Sequence, residues 1–152
     1  MKISYNSYSD ISSALEGGAM NGIAELHESI FGGSDDLAGR MREKKGLRID
    51  VAIHEKRIVG YKIGYALNHE QFYSWLGGVD KVYRNYGVAS CLMKRQHQYA
   101  ENSGFQVIQT KTKNKWRSML LLNIKNGFDV TGTYTGQDGE IKIILEKSLL
   151  KK

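Results

Sequence analysis

The stretch "RNYGVAS" sets a cation at Arg84 and a lone glycine at Gly87. The small Ala89 and the hydroxyl of Ser90 follow, all ahead of an amphipathic run. A helix N-terminus carries N–H groups without intrahelical partners and a partial positive charge, so it favours a phosphate or pyrophosphate. At such a terminus Gly87 lets the main chain approach a ligand, Ala89 keeps the first turn open, Ser90 adds a donor and Arg84 a charge. The R-x-x-G-x-A spacing is neither a Walker loop nor a dinucleotide fingerprint, which need further glycines. Taken alone, it also describes an ordinary strand-to-helix turn.

A second feature lies just upstream. Gly77-Gly78 closes the aromatic and β-branched run "QFYSWLGGV". Glycine at a strand end marks a bulge, or a place where another extended chain lies close. A bulge here would splay this strand from a parallel neighbour and leave main-chain groups free for a slender, amide-bearing ligand. A plain strand end is the other reading. Cys91, the single cysteine, falls in the first turn of the helix and reads as a structural thiol. No Cys/His spacing suits a metal.

The elements that must position these residues follow from periodicity. Residues 2–8 alternate as a first strand. Ser9 caps a helix with Asp10 in its first turn. Its apolar stripe runs through Ile11, Ala14 and Leu15, pauses at Gly17-Gly18, and resumes at Ile23, Leu26, Ile30 and Phe31 up to Gly32-Gly33. Ser34 caps a second short helix, with Asp35 and Asp36 at its positive end and Leu37 and Met41 inward.

Three strands with short connections come next and read as antiparallel neighbours. Leu47, Ile49, Val51 and Ile53 share one face; Val59, Tyr61, Ile63, Tyr65 and Leu67 share another; residues 71–79 form the third strand. A helix then runs from Val88 to Asn102, with Ala89, Leu92, Met93, Gln96, Tyr99 and Ala100 at helical spacing. The strand "FQVIQTKT" follows it, which implies a parallel, right-handed crossover. A helix over 116–125, opened by Asn114, and a closing hairpin across "TGQDG" complete the chain. The order βααβββαβαββ describes one α/β (α+β) three-layer domain over residues 1–152. It holds a mixed, mostly antiparallel sheet and one splayed parallel pair.

Bulk composition narrows the function. The chain has 152 residues, 41% hydrophobic and 25% charged, with a net charge of +6 and a pI near 9.3. These values fit a single globular domain with anionic partners. The N-terminal segment is polar rather than leader-like, no apolar run approaches a membrane span, and cysteine usage gives no sign of an oxidising compartment. A cytoplasmic location is the expectation. Nucleic acid is a weaker candidate partner, because aromatics at period two belong to a sheet core and no RNA-recognition motif is present.

"GGVDKVYRNYGVASCLM" resembles the coenzyme A-binding segment of the GCN5-related N-acetyltransferases, where a strand leads through a basic R/Q-x-x-G-x-G/A turn into a helix. "NKWRSMLLLNIKNGF" resembles the late helix of that family, which closes with glycine and phenylalanine. The element order is also similar to theirs over the whole chain. The resemblance implies acetyl-CoA as co-substrate, no metal, and direct transfer of acetyl to a small-molecule or peptide amine. In it the main chain of Val79 pairs with the pantetheine arm. The N–H groups of Arg84, Asn85, Tyr86, Gly87, Val88, Ala89 and Ser90 hold the pyrophosphate. Asn114 contacts the pantetheine, with Lys113, Lys115 and Arg117 near the adenosine phosphates. Relatives typically dimerise through the last strands, which makes a homodimer the implied assembly.

Amine acetylation needs a proton taken from an ammonium of pKa about 10.4, donors for the oxyanion, and help for the departing thiolate. Many relatives use a tyrosine as acid where this chain has Asn123, and a glutamate as base near Gln71. Tyr73, on the face of Gln71 and Trp75, and Glu28, beside His27 where relatives shape the acceptor pocket, are the remaining catalytic candidates. A non-catalytic module that binds coenzyme A or an acyl-CoA on the same fold is the alternative reading.

Overall fold

The computed structural model describes residues 1–33 and 36–150. Its elements are β1 (Ser4–Tyr8), α1 (Ile11–Glu16), α2 (Ala19–Phe31), α3 (Leu37–Arg42), β2 (Arg48–His54), β3 (Arg57–Ala66), β4 (Gln71–Val79), α4 (Val88–Asn102), β5 (Val107–Lys113), α5 (Arg117–Lys125), β6 (Asp129–Thr135) and β7 (Ile141–Ser148). A 3-10 turn, Lys81–Tyr83, joins β4 to α4. The strands form one seven-stranded sheet in the order β1-β2-β3-β4-β5-β7-β6. All neighbours are antiparallel except β4 and β5, which are parallel across α4. The expected α/β three-layer class and the splayed parallel pair are both present.

The helical order gains one member. Gly17 and Gly18, the latter at φ +73°, divide the first apolar stripe into α1 and α2. Asp10, not Ser9, caps α1: its carboxylate accepts from the Ser13 N–H at 2.7 Å. Asp36 caps α3 by accepting from the Gly39 N–H at 3.0 Å. Ser34 and Asp35, expected at that cap, lie outside the described residues.

Helices cover both faces of the sheet. On one face Ile11, Ala14, Met20, Ile23, Leu26, Leu37 and Met41 of α1–α3 bury against Ile49, Val51, Tyr61 and Ile63. On the other, α4 places Met93 and Ala100 against Phe72, Ile108, Phe128 and Leu145, and places Val88 and Leu92 against Ala52 and Val59. Val59 therefore faces α4 rather than sharing a face with Tyr61. The pairing steps from Ala52↔Gly60 to Ile53↔Ile58, which leaves Val59 as an extra residue that breaks the alternation. Because both faces are covered, every residue from Val59 to Tyr61 and on to Gly64 is buried, the lysine at 62 included.

The sheet's tightest central contact sits at Gly64. A Cβ there would lie 2.6 Å from Phe72 Cζ and 2.7 Å from the Tyr73 carbonyl oxygen. Gly64→Ala is expected to lower stability by about 1–3 kcal/mol, read as a fall in the urea midpoint. An unchanged midpoint would mean that β3 and β4 do not meet as described.

Candidate functional site

The parallel pair comes apart. β4 bonds β5 only from Gln71↔Val107 to Ser74↔Thr110. Beyond that point β4 stays paired with β3 as far as Val79, and β5 stays paired with β7 as far as Lys113. Main-chain groups of residues 75–79 on the β5 side are thus left without a strand. The cause is one extra residue. Pairing with β3 passes from Gly64↔Ser74 to Ile63↔Leu76, so Trp75 bulges and bends β4 away from β5. The bulge lies at Trp75, not at the glycine pair. Gly77 and Gly78 remain in register with Lys62 and Tyr61, and their lack of side chains serves close approach instead. A Cβ on Gly78 would lie 2.6 Å from Ile30 Cδ1 of α2. The Thr110 hydroxyl donates to the Ser74 carbonyl at 2.9 Å and closes the base of the opening.

The turn after β4 is built to point amides into that opening. Asp80 donates its N–H to Val59 O at 2.8 Å and accepts from the Val82 N–H at 3.0 Å. Tyr83 Oη lies 2.8 Å from His54 Nδ1. Asn85 and Gly87 then adopt left-handed φ values of +70° and +76°. The first intrahelical bond of α4 is Cys91 N–H to Gly87 O, and no side chain caps the helix. The N–H groups of Val88, Ala89 and Ser90 are therefore unpaired within the helix, and all three residues line the cleft. The helix that follows β5 repeats the device. α5 has Trp116 at its N-cap without a side-chain cap, its first bond is Leu120 N–H to Trp116 O, and Arg117, Ser118 and Met119 line the same cleft. Two positive helix ends thus face one cavity of about 690 Å3.

Val79, Arg84, Asn85, Gly87, Val88, Ala89 and Ser90 all line this cavity. Tyr86 is exposed and Asn114 lies in the turn before α5, and neither reaches the lining. Lys115 and Arg117 line the cleft. Lys113 does not: it is held by Glu140 of the β6–β7 turn, and Lys115 Nζ is also 3.0 Å from Glu140. Burial of Asn123 at the foot of α5 puts its amide in the lining too.

The two catalytic candidates fall elsewhere. Tyr73 stacks edge-on against Tyr65 with ring centroids 5.5 Å apart, outside the cleft. Burial, with Tyr65 and Tyr134 nearby, pushes its hydroxyl up to about 12. Glu28 is on the exposed side of α2. Gln71 is held at the hairpin by Asn68, whose amide donates to Gln71 Oε1 at 2.9 Å.

What the cleft does contain on that side is Tyr61, with its hydroxyl 2.6 Å from Nδ1 of His27. His27 is buried rather than on the helix surface. Burial raises the Tyr61 hydroxyl far above its ordinary pKa of 10, so it keeps its proton beside His27 Nδ1. A Cβ on Gly78 would lie 3.5 Å from Tyr61 Oη, so this hydroxyl stands at the end of β4. Phe31 and Trp116, with ring centroids 6.4 Å apart, bridge α2 and α5 at the rim. The spacing of His27 and Tyr61 gives no sequence signal, because the contact joins a helix to a strand 34 residues away.

A family model described as an acetyltransferase (GNAT) domain matches residues 28–112. Solved structures resemble the chain over its whole length. The ribosomal-protein-S18-alanine N-acetyltransferase from Escherichia coli gives a TM-score of 0.80 at 14% identity, covering 99% of this chain and 96% of that one. Ard1 from Thermoplasma volcanium gives 0.78 at 15%, covering 99% and 100%. An aminoglycoside 6'-N-acetyltransferase complexed with coenzyme A gives 0.79 at 11%, covering 100% and 99%. These likenesses establish the fold. No curated protein matches the chain in sequence.

The wall beneath the cleft predicts a pH response. Lys147 Nζ donates to His97 Nδ1 at 3.1 Å. Burial first, then Lys147 and Lys62, push the imidazole down to about 3. The unfolded chain binds a proton at His97 below about pH 6.5 that the folded chain refuses, so stability falls as pH drops from there toward 3. His97→Gln, which keeps an acceptor for Lys147, is expected to flatten the fall in urea midpoint between pH 7 and pH 4. Parallel curves for the two proteins would contradict the assignment.

Proposed function

The chain belongs to the GNAT acetyltransferase family, and we propose that it carries the acetyl group of acetyl-CoA to a primary amine by direct transfer in a ternary complex. The observation that carries this reading is the gap between β4 and β5 beyond Ser74 and Thr110, faced by the uncapped first turn of α4. An amide-bearing pantetheine arm completes the broken ladder along residues 75–79, with the Val79 main chain as one partner. The N–H groups of Val88, Ala89 and Ser90, with Arg84 beside them, hold the pyrophosphate. No metal enters the chemistry.

The acceptor, a small-molecule or peptide amine, enters from the side of α2. The thioester carbonyl lies at the end of β4, where a main-chain N–H near Gly78 or Val79 stabilises the oxyanion. Alignment of the two substrates supplies much of the rate. Tyr61 is the polar group on the acceptor side. It takes the amine proton as its own proton passes to His27 Nδ1. A coenzyme A-binding module without turnover is the second reading, favoured by the placing of Tyr73 and Glu28 outside the cleft.

Thermal shift and thiol release test the reading together. Coenzyme A at a hundredfold excess over its Kd should stabilise the protein by about 2.7 kcal/mol. Gly87→Glu puts a carboxylate where the pyrophosphate belongs. With nothing within 4 Å of the new Cβ, its cost is the left-handed backbone alone, about 1–2 kcal/mol. It is expected to fold and to lose the coenzyme A shift; a retained shift removes the helix end from the site. Tyr61→Phe should keep the shift and slow amine-dependent thiol release by at least about 100-fold. Binding without thiol release across an amine panel selects the second reading.

A further inference from the structure

Lys62 projects from β3 toward α4 and lines the cleft while only 8% exposed. Its Nζ makes no hydrogen bond or ion pair among the described residues. Its cross-strand partner Asp50 is fully buried but already committed. That carboxylate accepts from Ser7 Oγ at 2.6 Å, from Arg48 Nη2 at 3.0 Å and from Arg48 Nε at 3.1 Å, with Arg95 Nε at 3.6 Å. From α4 the facing titratable group is His97, held neutral, with the Lys147 ammonium of β7 on its other side. From β4 and β5 the cleft wall presents Ser74, Thr110 and Thr112, which carry no charge, and Lys111, whose Nζ lies over the Tyr73 and Tyr134 rings. The Thr112 hydroxyl, itself buried, has no partner among the described residues. A buried ammonium without a partner is costly, and an anion supplied by a ligand removes that cost.

The position says which anion. A Cβ on Gly77 would lie 3.8 Å from Lys62 Nζ, so the ammonium sits beside the part of β4 that has left β5. On the acetyl-CoA reading above, this is the inner end of the channel, where the pantetheine arm terminates in its sulfur. The other buried polar side chains of the lining, Ser74, Thr110, Thr112 and Asn123, are hydroxyls and an amide with no acidic proton to give up.

We propose that Lys62 is the catalytic acid, the group that meets the sulfur of coenzyme A and protonates it as it leaves. The amine nitrogen attacks the thioester carbon, the C–N bond forms and the C–S bond breaks. Sulfur departs with the electron pair and takes a proton from Lys62 Nζ. Lys62 regains a proton from water after the product leaves, and the attacking nitrogen loses its extra proton on the acceptor side. Burial, partly offset by Asp50, brings Lys62 down to about 8. A thiol titrates near 8.5, so donor and leaving group are closely matched, which an ordinary lysine at about 10.4 is not.

The test needs no acceptor. The full chain is saturated with coenzyme A and the bound thiol is titrated by the ultraviolet absorbance of its thiolate. An adjacent ammonium should raise the thiolate-to-thiol ratio by about tenfold or more over free coenzyme A at the same pH. Lys62→Met should abolish that increase and Lys62→Arg, which keeps the charge, should retain it; Lys62→Gln serves if the methionine variant does not fold. Coenzyme A that binds with an unshifted thiol, or a shift that survives Lys62→Met, overturns the role of Lys62 and leaves the acetyl-CoA reading standing. Failure to bind coenzyme A at all overturns both.

Discussion

Two parallel strands that share hydrogen bonds over four residue pairs and then separate leave main-chain donors and acceptors that something else must satisfy. A ligand that carries amides does so at the cost of less disorder than a mobile loop would lose, because both walls are already fixed. β3 holds β4 on one side and β7 holds β5 on the other. The gap is thus a rigid consequence of one extra residue, Trp75, whose bulge turns β4 while its partner strand runs straight on. From this break follow the cleft, the exposure of the α4 and α5 N-termini to it, and the depth at which Lys62 and Asn123 are found.

Electrostatics reinforce the geometry. Neither α4 nor α5 has an acidic residue in its first turn or a side-chain cap, so both helix ends keep their positive potential for whatever enters. The cations divide by their partners, and Lys115 both pairs with Glu140 and lines the cleft. Lys113 and Lys115 are drawn to Glu140, while Arg84 and Arg117 line the cleft. Arg48 and Arg95 gather round Asp50 beneath the sheet. That pairing keeps a buried carboxylate from neutralising Lys62 directly.

Much of this was legible in the sequence. The α4 boundaries, the parallel crossover and the closing hairpin follow from periodicity and glycine placement, signals carried by neighbours in the chain. Of the residues singled out, Val79 and six of those from Arg84 to Ser90 line the cleft, while Tyr86 and Asn114 do not. The polar groups on the α2 side of the cleft and at its inner wall were not legible. Period two along "IVGYKIGYAL" leaves Lys62 on the face opposite Tyr61 and Ile63, and only the packing of α4 over that face buries it. The Val59 and Trp75 bulges shift faces in ways that period-two reasoning does not register. His27 meets Tyr61 only once α2 lies across β3. Tyr73 follows from the face it shares with Gln71 and Trp75, and Glu28 from the family resemblance; neither lines the cleft.

Amide hydrogen exchange, measured with and without coenzyme A, addresses the break directly. The amides of residues 75–79 that do not bond to β3, together with those of Val88, Ala89 and Ser90, should exchange fast in the free protein and slow by an order of magnitude or more when coenzyme A is added. If they are already protected in the free protein, or are unmoved by a coenzyme A that binds, then β4 and β5 do not part as described and the cleft is not where the cofactor lies.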